Sequence, residues 1–213
     1  MAPDYTYHPS LQYLHGPLSD FAAARPEFEG FSVSAIIRIG DAVLLLQRAK
    51  SDTMSGCWEP PGGACELDGD DTLLDGVWRE VNEETGLCVS HFSALVAVDS
   101  WNHRSRDGVI KRIARYSFLV EVHEALRPLP DGQLQPIPRD NIRIQLAVAE
   151  HQDYDWGTKE VVQKSLLSNK GTYKWTPLLV GQGHNVAWAF EIWAAQSFSE
   201  GLVEYLGILS SVF

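Results

Sequence analysis

The chain has 213 residues, of which 45% are hydrophobic, and a formal net charge of −11 at pH 7. This length is sufficient for one domain with a full core, and the composition excludes a disordered chain. The negative net charge argues against nucleic acid or an anionic membrane as the main partner, because both bind basic surfaces. An acidic protein can still bind a small phosphorylated substrate when a bound divalent cation reverses the local electric field.

The amino terminus and the cysteines predict a cytoplasmic protein. The first ten residues, MAPDYTYHPS, lack the basic and then apolar pattern of a secretion signal, and no stretch is long enough to span a bilayer. The three cysteines, Cys57, Cys65 and Cys88, lack metal-ligand spacing and leave one unpaired in any disulfide scheme. We therefore expect free thiols.

Residues 1–30 have no clear hydrophobic period and predict an extended arm that partly packs on the domain, with a short helix around residues 18–24. Residues 31–39 and Ala42–Arg48 are rich in Val, Ile and Leu, which indicates two strands. The intervening Gly40-Asp41 favours a turn, so the two strands predict a β-hairpin.

Two positions after this hairpin allow both a structural and a functional interpretation. Arg48 is either a surface arginine or a phosphate-binding residue, because guanidinium donors match phosphate oxygens. Trp58 belongs either to the core or to the wall of a substrate pocket. The glycines of the following Pro60-Pro61-Gly62-Gly63 turn permit close backbone approach, so Gly63 is a candidate for contact with substrate phosphate.

Residues 72–87, TLLDGVWREVNEETGL, predict a helix with two distinct faces. Thr72 is a suitable amino-terminal cap, and Gly86 a suitable end. The apolar stripe, at i, i+3, i+4 and i+7, consists of Leu74, Val77, Trp78 and Val81.

The second face carries Glu80, Glu83 and Glu84, whose like charges repel one another near the helix carboxyl terminus, where the helix dipole favours cations. Acidic runs on helices are more often solvated surfaces. The alternative is a cation site, and such hard oxygen ligands favour Mg²⁺, Mn²⁺ or Ca²⁺ over zinc.

The longer stretch GGACELDGDDTLLDGVWREVNEETGL resembles the signature of the Nudix hydrolase family, G-x5-E-x7-R-E-U-x-E-E-x-G-U, where U is aliphatic. The second half matches in full from Arg79 to Leu87. In the first half, Asp71 stands where the family has Glu, and the glycine pair lies about two residues further upstream, so the loop is longer. The resemblance implies that metal binding persists, because the metal ligands come mainly from the intact half.

Arg79 has two interpretations. It either forms an ion pair with Asp75, one helical turn before it, or, as the resemblance implies, it hydrogen-bonds a catalytic carboxylate and fixes its orientation.

Beyond the helix, residues 93–100 and 111–122 are predicted strands, with Tyr116, Phe118 and Val120 on one face of the second. The loop between them, residues 101–108, is either an exposed hairpin tip or a recognition loop. In the latter case its aromatic side chain stacks on a ring and its arginines bind phosphate. The residues concerned are Trp101, Arg104 and Arg106.

Four prolines between residues 124 and 141 exclude a helix or a central strand and predict an inserted loop or lid. Residues 142–149, IRIQLAVA, predict a strand, and residues 158–167 a helix. Residues 186–196 and 200–209 have helical apolar spacing and predict two amphipathic helices. The apolar end of the chain is a candidate contact of a homodimer.

The Nudix resemblance implies an α/β (α+β) fold, a mixed β-sheet between helices, over residues 31–168, with an arm at 1–30 and a helical extension at 169–213. It implies metal-dependent hydrolysis of a diphosphate linkage in a nucleoside diphosphate derivative or a related organic diphosphate. Mg²⁺ or Mn²⁺ would bind Glu80, Glu84 and Glu83, with Arg79 as the orienting residue and Arg48 on the substrate phosphates. The general base would be Glu83 or Glu150, with Asp153 as a further candidate. The alternative is a Nudix-like binding module, or one that performs non-phosphate chemistry on a small metabolite.

Overall fold

The computed structural model describes residues 3–104, 108–167, 171–176 and 181–211, with side chains through residue 196. The strands are β1 Thr6–Tyr7, β2 Gly30–Ile39, β3 Ala42–Arg48, β4 Trp58–Glu59, β5 Val89–Arg104, β6 Ile110–Val122, β7 Leu126–Pro128, β8 Leu134–Pro136 and β9 His151–Thr158. The α-helices are α1 Leu18–Ala23, α2 Leu73–Thr85, α3 Lys159–Leu167 and α4 Gln182–Ser211. Short 3₁₀ turns occupy Pro9–Leu14, His123–Ala125 and Arg139–Asn141.

The main sheet is mixed and has the strand order β1-β5-β6-β2-β3-β4, with β9 also paired to β3. The β2–β6 pair is parallel, whereas β5–β6 and β3–β9 are antiparallel. Helices cover both faces of this sheet, which confirms the predicted α+β architecture of a mixed sheet between helices.

Strand alternation divides the apolar side chains of the sheet between two core clusters. On β2, Val33, Ala35 and Ile37 lie in the cluster that contains the apolar face of α2. Ile36 points to the other side, into the cluster that contains Phe190 of α4. The sheet is therefore buried between α2 on one face and α4 on the other.

Helix α2 begins and ends as its sequence predicts. The Thr72 hydroxyl accepts a hydrogen bond from the Asp75 amide at 3.1 Å, and Gly86 ends the helix with φ of 70°. The predicted apolar stripe packs into the core, with Leu74, Val77 and Val81 buried. This fixes the helix rotation, so that its acidic residues lie on a different face from the apolar stripe.

The amino-terminal arm is part of the packed structure. Strand β1 runs parallel to β5, and Leu11 and Leu14 are buried in the same cluster as α2. The Tyr5 hydroxyl donates to Asp75 Oδ1 at 2.7 Å. The arm therefore binds directly to the first turn of α2.

Four predicted boundaries or elements were wrong. The segment 142–149 has no strand, although its alternation is real, since Ile142 is buried and Ile144 packs on the core. The first residues of the predicted 101–108 loop, through Arg104, continue β5 and pair with β6. The proline-rich segment contains the small β7–β8 hairpin. The two predicted carboxyl-terminal helices form one continuous helix, α4, which also includes residues 197–199.

Among the helices described, none is both long enough and apolar enough to cross a bilayer.

The contact between the arm and α2 leads to a stability prediction. Tyr5→Phe removes the only hydroxyl donor that the arm offers to Asp75 among the described contacts, and we expect the free energy of unfolding to fall by about 1 kcal/mol. Chemical denaturation measures this. Tyr7→Phe is the matched control, because that hydroxyl bonds the exposed Gln12 at 3.0 Å and its loss should change stability by less than ~0.5 kcal/mol. Equal effects of the two substitutions would contradict the role given to Tyr5.

Candidate functional site

A cavity of about 330 Å³ opens beside the acidic face of α2, between the turn that follows β4 and the start of β9. Carboxylates dominate its wall, which includes Asp52, Glu66, Glu80, Glu83, Glu84 and Glu150. The basic side chains on this wall are Arg48, Arg79 and His151. The structure thus brings together the predicted metal ligands Glu80, Glu83 and Glu84 with Arg48, Gly63, Arg79 and Glu150.

The glycine turn is held against the acidic helix by backbone hydrogen bonds to β2. The Val33 amide donates to the Gly63 carbonyl at 2.9 Å, and the Ala35 amide to the Pro61 carbonyl at 2.8 Å. A Cβ atom on Gly63 would lie 2.6 Å from Glu80 Oε1. Gly63 therefore permits the backbone to lie directly on the Glu80 carboxylate, which a side chain at this position would displace.

Glu84 and Glu80 are buried carboxylates, with 5% and 9% of their surface exposed, respectively. Burial raises the pKa of Glu84 well above its ordinary value, and the neighbouring carboxylates raise it further. The hydrogen bond donated by the Gly62 amide, at 2.8 Å, lowers this pKa. Burial also raises the pKa of Glu80, which the Arg79 guanidinium partly lowers. Two anions in this position are costly unless a cation compensates them.

Glu83 differs from its two neighbours because its side chain is 59% exposed. It lies at the mouth of the cavity, where solvent reaches it. Glu150 is also exposed and lies on the opposite side, directly before β9.

The Arg79 guanidinium connects part of this wall to Asp70. It forms a two-pronged ion pair with Asp70, Nε to Oδ1 at 2.9 Å and Nη2 to Oδ2 at 3.0 Å. Its Nη1 donates to Glu80 and to Glu83, both at 3.0 Å, and Nη2 donates to the Ala64 carbonyl at 2.9 Å. The hydrogen bonds to Asp70 are the main reason that the pKa of Arg79 is raised.

This network bears on the two interpretations of Arg79. Asp75 receives hydrogen bonds from Tyr5 and Thr72, and none of the described contacts joins it to Arg79. The alternative of an ion pair one helical turn back thus has no support among the described contacts, and Arg79 instead contacts carboxylates of the cavity, while its orienting role in catalysis stays a prediction.

Asp70 was missed by the sequence reasoning, which counted the signature back to Asp71. The Asp70 side chain is 2% exposed and bonded to Arg79, whereas Asp71 is exposed. Gly76 makes room for it, since a Cβ there would lie 3.0 Å from Asp70 Oδ2. Residue spacing alone does not show which of two adjacent aspartates in a lengthened loop is buried. Gly76, one helical turn after Thr72, was the available sign that another group packs closely against the helix.

The wrongly predicted strand 142–149 positions the last part of the site. The Gln145 amide donates to the Thr85 carbonyl at 2.8 Å, and the Ala147 amide to the Glu84 carbonyl at 3.2 Å. The segment thereby satisfies carbonyl groups at the end of α2 instead of joining a sheet. It delivers Glu150 and the buried His151 next to Glu84.

Glu84, Glu150 and His151 form a compact group, in which each residue offers a ligand atom within 4.8 Å of the others. His151 is 2% exposed, and its Nε2 lies 4.0 Å from Glu84 Oε1 and 3.6 Å from Glu59 Oε1. Sequence reasoning missed both His151 and the buried Glu59. The available signal was a charged residue inside the buried Trp-Glu-Pro-Pro segment and a histidine directly after Glu150.

Arg48 stands at the cavity wall at the end of β3, but it is already paired. Its guanidinium donates to Glu59 and Asp52, and its Nε donates to the Thr53 carbonyl at 2.8 Å. Contact with a substrate phosphate would compete with these carboxylates.

The other residues predicted to bind substrate lie away from the described cavity wall. Trp58 is buried and packs edge-on against Tyr173, with ring centroids 5.2 Å apart. Trp101 lies on β5 beneath the Arg115 guanidinium at 5.1 Å, and Arg104 is exposed at the end of that strand. Arg106 lies outside the described residues. Their part in substrate binding remains a prediction.

Comparison with known proteins relates the chain to one family. An RNA pyrophosphohydrolase from Ruthia magnifica subsp. Calyptogena magnifica is 39% identical over 59 residues, which are 28% of this chain and 30% of that protein. The chain thus matches less than a third of that relative's length.

Solved structures similar to the chain include a MutT protein from Methanosarcina mazei Go1, at 22% identity and a TM-score of 0.49, covering 76% of this chain and 92% of the other. The NUDIX domain of Shewanella oneidensis NrtR, solved as a complex with ADP-ribose, has 19% identity and a TM-score of 0.49, covering 76% and 86% of the two chains.

The NUDIX domain model matches residues 29–164, which is more than half of the sequence. This match confirms the resemblance drawn from the signature around α2. The chain belongs to the NUDIX domain family.

Proposed function

We propose that the protein is a divalent-metal-dependent hydrolase that cleaves a diphosphate linkage in a nucleoside diphosphate derivative or a related organic diphosphate. The observation that carries this proposal is the cavity wall, where carboxylates outnumber basic groups and where Glu80 and Glu84 are buried with raised pKa values. Such a wall repels a phosphorylated substrate unless cations neutralise it.

The residues present fit a hard divalent cation. Glu80, Glu83 and Glu84 offer carboxylate oxygens from one helix face, and the Gly62–Gly63 backbone adds polar groups beside them. Mg²⁺ or Mn²⁺ is the proposed cofactor. When bound, such a cation neutralises charge on phosphate oxygens and lowers the pKa of a coordinated water molecule.

The side chains around the cavity have distinct proposed roles. Arg79 is a positioning residue, because its hydrogen bonds to Glu80 and Glu83 fix both rotamers before substrate arrives. Glu83 or Glu150 is the proposed general base, since each is exposed to the solvent from which the attacking water comes. Arg48 is proposed to exchange Asp52 for a substrate phosphate oxygen when the substrate enters.

Further proposals concern the setting of the reaction. We propose a cytoplasmic enzyme, an expectation supported by the free state of Cys57, Cys65 and Cys88. We also propose the division into an arm at 1–30, a catalytic domain at 31–168 and a helical extension at 169–213, and a homodimer is the proposed assembly. Small phosphorylated molecules are the proposed substrates, with neither nucleic acid nor membrane as a partner.

The first prediction from the proposed function concerns catalysis. We expect metal-dependent release of phosphorylated products from at least one of four substrate groups: nucleoside diphosphate sugars, dinucleotides, nucleoside triphosphates or prenyl diphosphates. Glu84→Gln should lower kcat/KM by at least ~100-fold, because it removes a proposed metal ligand. The assay is run with Mg²⁺, with Mn²⁺ and with chelator.

The matched control for this assay is Glu160→Gln, an exposed glutamate on α3 that lies outside the cavity wall. It should retain wild-type activity. Absence of turnover on every substrate with either metal would reject the hydrolase and favour a binding module or non-phosphate chemistry.

The second prediction concerns stability without metal. The raised pKa of Glu84 means that the folded protein binds this proton more tightly than the unfolded chain, whose pKa is near 4.5. The free energy of unfolding of the metal-free protein therefore falls as the pH rises from this value to the raised folded pKa, and the loss persists above it. Glu84→Gln removes the loss, so at neutral pH the metal-free variant should be more stable than wild type.

Chemical denaturation of both proteins in chelator measures this difference. Addition of Mg²⁺ or Mn²⁺ should then stabilise the wild type more than the variant, because the ion binds the folded state and needs the carboxylate. A metal-free Glu84→Gln protein less stable than wild type at neutral pH would contradict the prediction.

The third prediction separates two adjacent aspartates. Asp70→Asn weakens the ion pair that holds Arg79, and we expect about a tenfold or greater fall in kcat/KM with a loss of roughly 1–3 kcal/mol in stability. Asp71→Asn, which changes an exposed side chain, should leave both within about twofold and ~0.5 kcal/mol. A larger effect at Asp71 would reverse the roles given to the two residues.

A further inference from the structure

The His151 imidazole is buried without a hydrogen bond on either ring nitrogen among the described residues. Its Nδ1 has no partner, and the carboxylate oxygens nearest its Nε2 lie at 3.6 Å on Glu59 and 4.0 Å on Glu84, beyond hydrogen-bond distance. Leaving a buried polar group unsatisfied costs about 1–3 kcal/mol. His151 is 2% exposed, and its Nε2 is the nitrogen nearest the Glu84 carboxylate, so an ion bound between these two groups would give that nitrogen a partner.

The surrounding distances are those of groups that share an ion. Two ligand atoms each about 2.1 Å from one metal ion are separated by at most about 4.2 Å. The Glu84–His151 separation of 4.0 Å lies within this limit, and the group that includes Glu150 spans no more than 4.8 Å. Glu150 is exposed, and its carboxylate would complete the ligand set by moving closer to Glu84 and His151.

Glu59 is close to this group but is already neutralised. Its Oε1 accepts a hydrogen bond from Arg48 and belongs to a side chain that is 6% exposed. It is therefore less available as a ligand than Glu84 or Glu150.

We propose that His151 is a nitrogen ligand in a mixed nitrogen and oxygen site with Glu84 and Glu150, and that this site binds a divalent transition metal such as Mn²⁺ in preference to Mg²⁺. Imidazole nitrogen suits transition metals, whereas Mg²⁺ favours ligand sets made of oxygen alone. The inference rests on the proposed function, in that it identifies the cation of the same cavity. It adds a residue outside the helical signature and a preference among metals.

Pulsed electron paramagnetic resonance of Mn²⁺ bound to the full-length, substrate-free protein tests the proposal. A directly coordinated imidazole couples its ¹⁴N nucleus to the electron spin of Mn²⁺. We expect this coupling in the wild type, and its replacement by a ¹⁵N coupling in protein labelled with ¹⁵N-histidine. Both measurements use the wild-type sequence, so neither depends on the folding of a variant.

Substitution then identifies the histidine. His151→Gln should abolish the nitrogen coupling and lower the Mn²⁺ affinity relative to Mg²⁺ by at least ~10-fold in calorimetric titration, since even outer-sphere partners of a metal contribute that much. His184→Gln, an exposed histidine on α4, is the matched control and should change neither quantity.

The outcomes distinguish this inference from the proposed hydrolase. Nitrogen coupling that depends on His151 supports the inference whether or not any substrate turns over. Mn²⁺-dependent turnover without nitrogen coupling would overturn the inference and leave the hydrolase in place. Nitrogen coupling that persists in His151→Gln would also overturn it.

Discussion

The ion pair between Arg79 and Asp70 is the interaction on which the arrangement of the cavity depends. One planar guanidinium contacts a loop carboxylate, two helix carboxylates and the Ala64 carbonyl, so that groups from three parts of the chain converge on it. Without this cation, Glu80 and Glu83 would repel each other, and no shared hydrogen-bond donor would hold their side chains in place. A lysine could not replace it, because a single ammonium group lacks the fork that binds Asp70 at two points.

The hydrophobic core makes this concentration of charge tolerable. Helix α2 is fixed by the burial of Leu74, Val77 and Val81 against the sheet, at roughly 1.5–3 kcal/mol for each buried side chain. The same helix therefore supplies apolar contacts that stabilise the fold and a polar face that costs stability. The amino-terminal arm adds to the first of these, since Leu11 and Leu14 enter the same core.

The sequence predicts the parts of the molecule that depend on local pattern. Helix α2, its cap at Thr72 and its end at Gly86, the strand β3 and the apolar face of β6 all follow from spacing and propensity. Pattern also predicts that Ile142 and Ile144 alternate with exposed residues, but alternation indicates burial and does not name the hydrogen-bond partner. In this protein the partners are carbonyl groups of a helix end.

The sequence predicted the cavity residues of the helix together with Arg48, Gly63 and Glu150, but it missed two buried side chains beside them. Glu80, Glu83 and Glu84 are neighbours in sequence and in space, whereas His151 comes to the cavity from β9 and Glu59, on β4, lies beside His151. The choice between Asp70 and Asp71 depends on the path of a loop, which a count of residues does not determine. The structure resolves it through the burial of one side chain and the exposure of the other.

The attachment of residues 145–147 to the last turn of α2 has a mechanical consequence. Two backbone hydrogen bonds, at 2.8 and 3.2 Å, attach the segment that leads to Glu150 and His151 to the same helix that carries Glu80 and Glu84. The β7–β8 hairpin and its prolines lie upstream of this attachment. Insertions or deletions in that hairpin can therefore change the surface there while the distances between the carboxylates and the imidazole stay constant. The segment that tolerates sequence change is thus separate from the segment whose geometry is fixed.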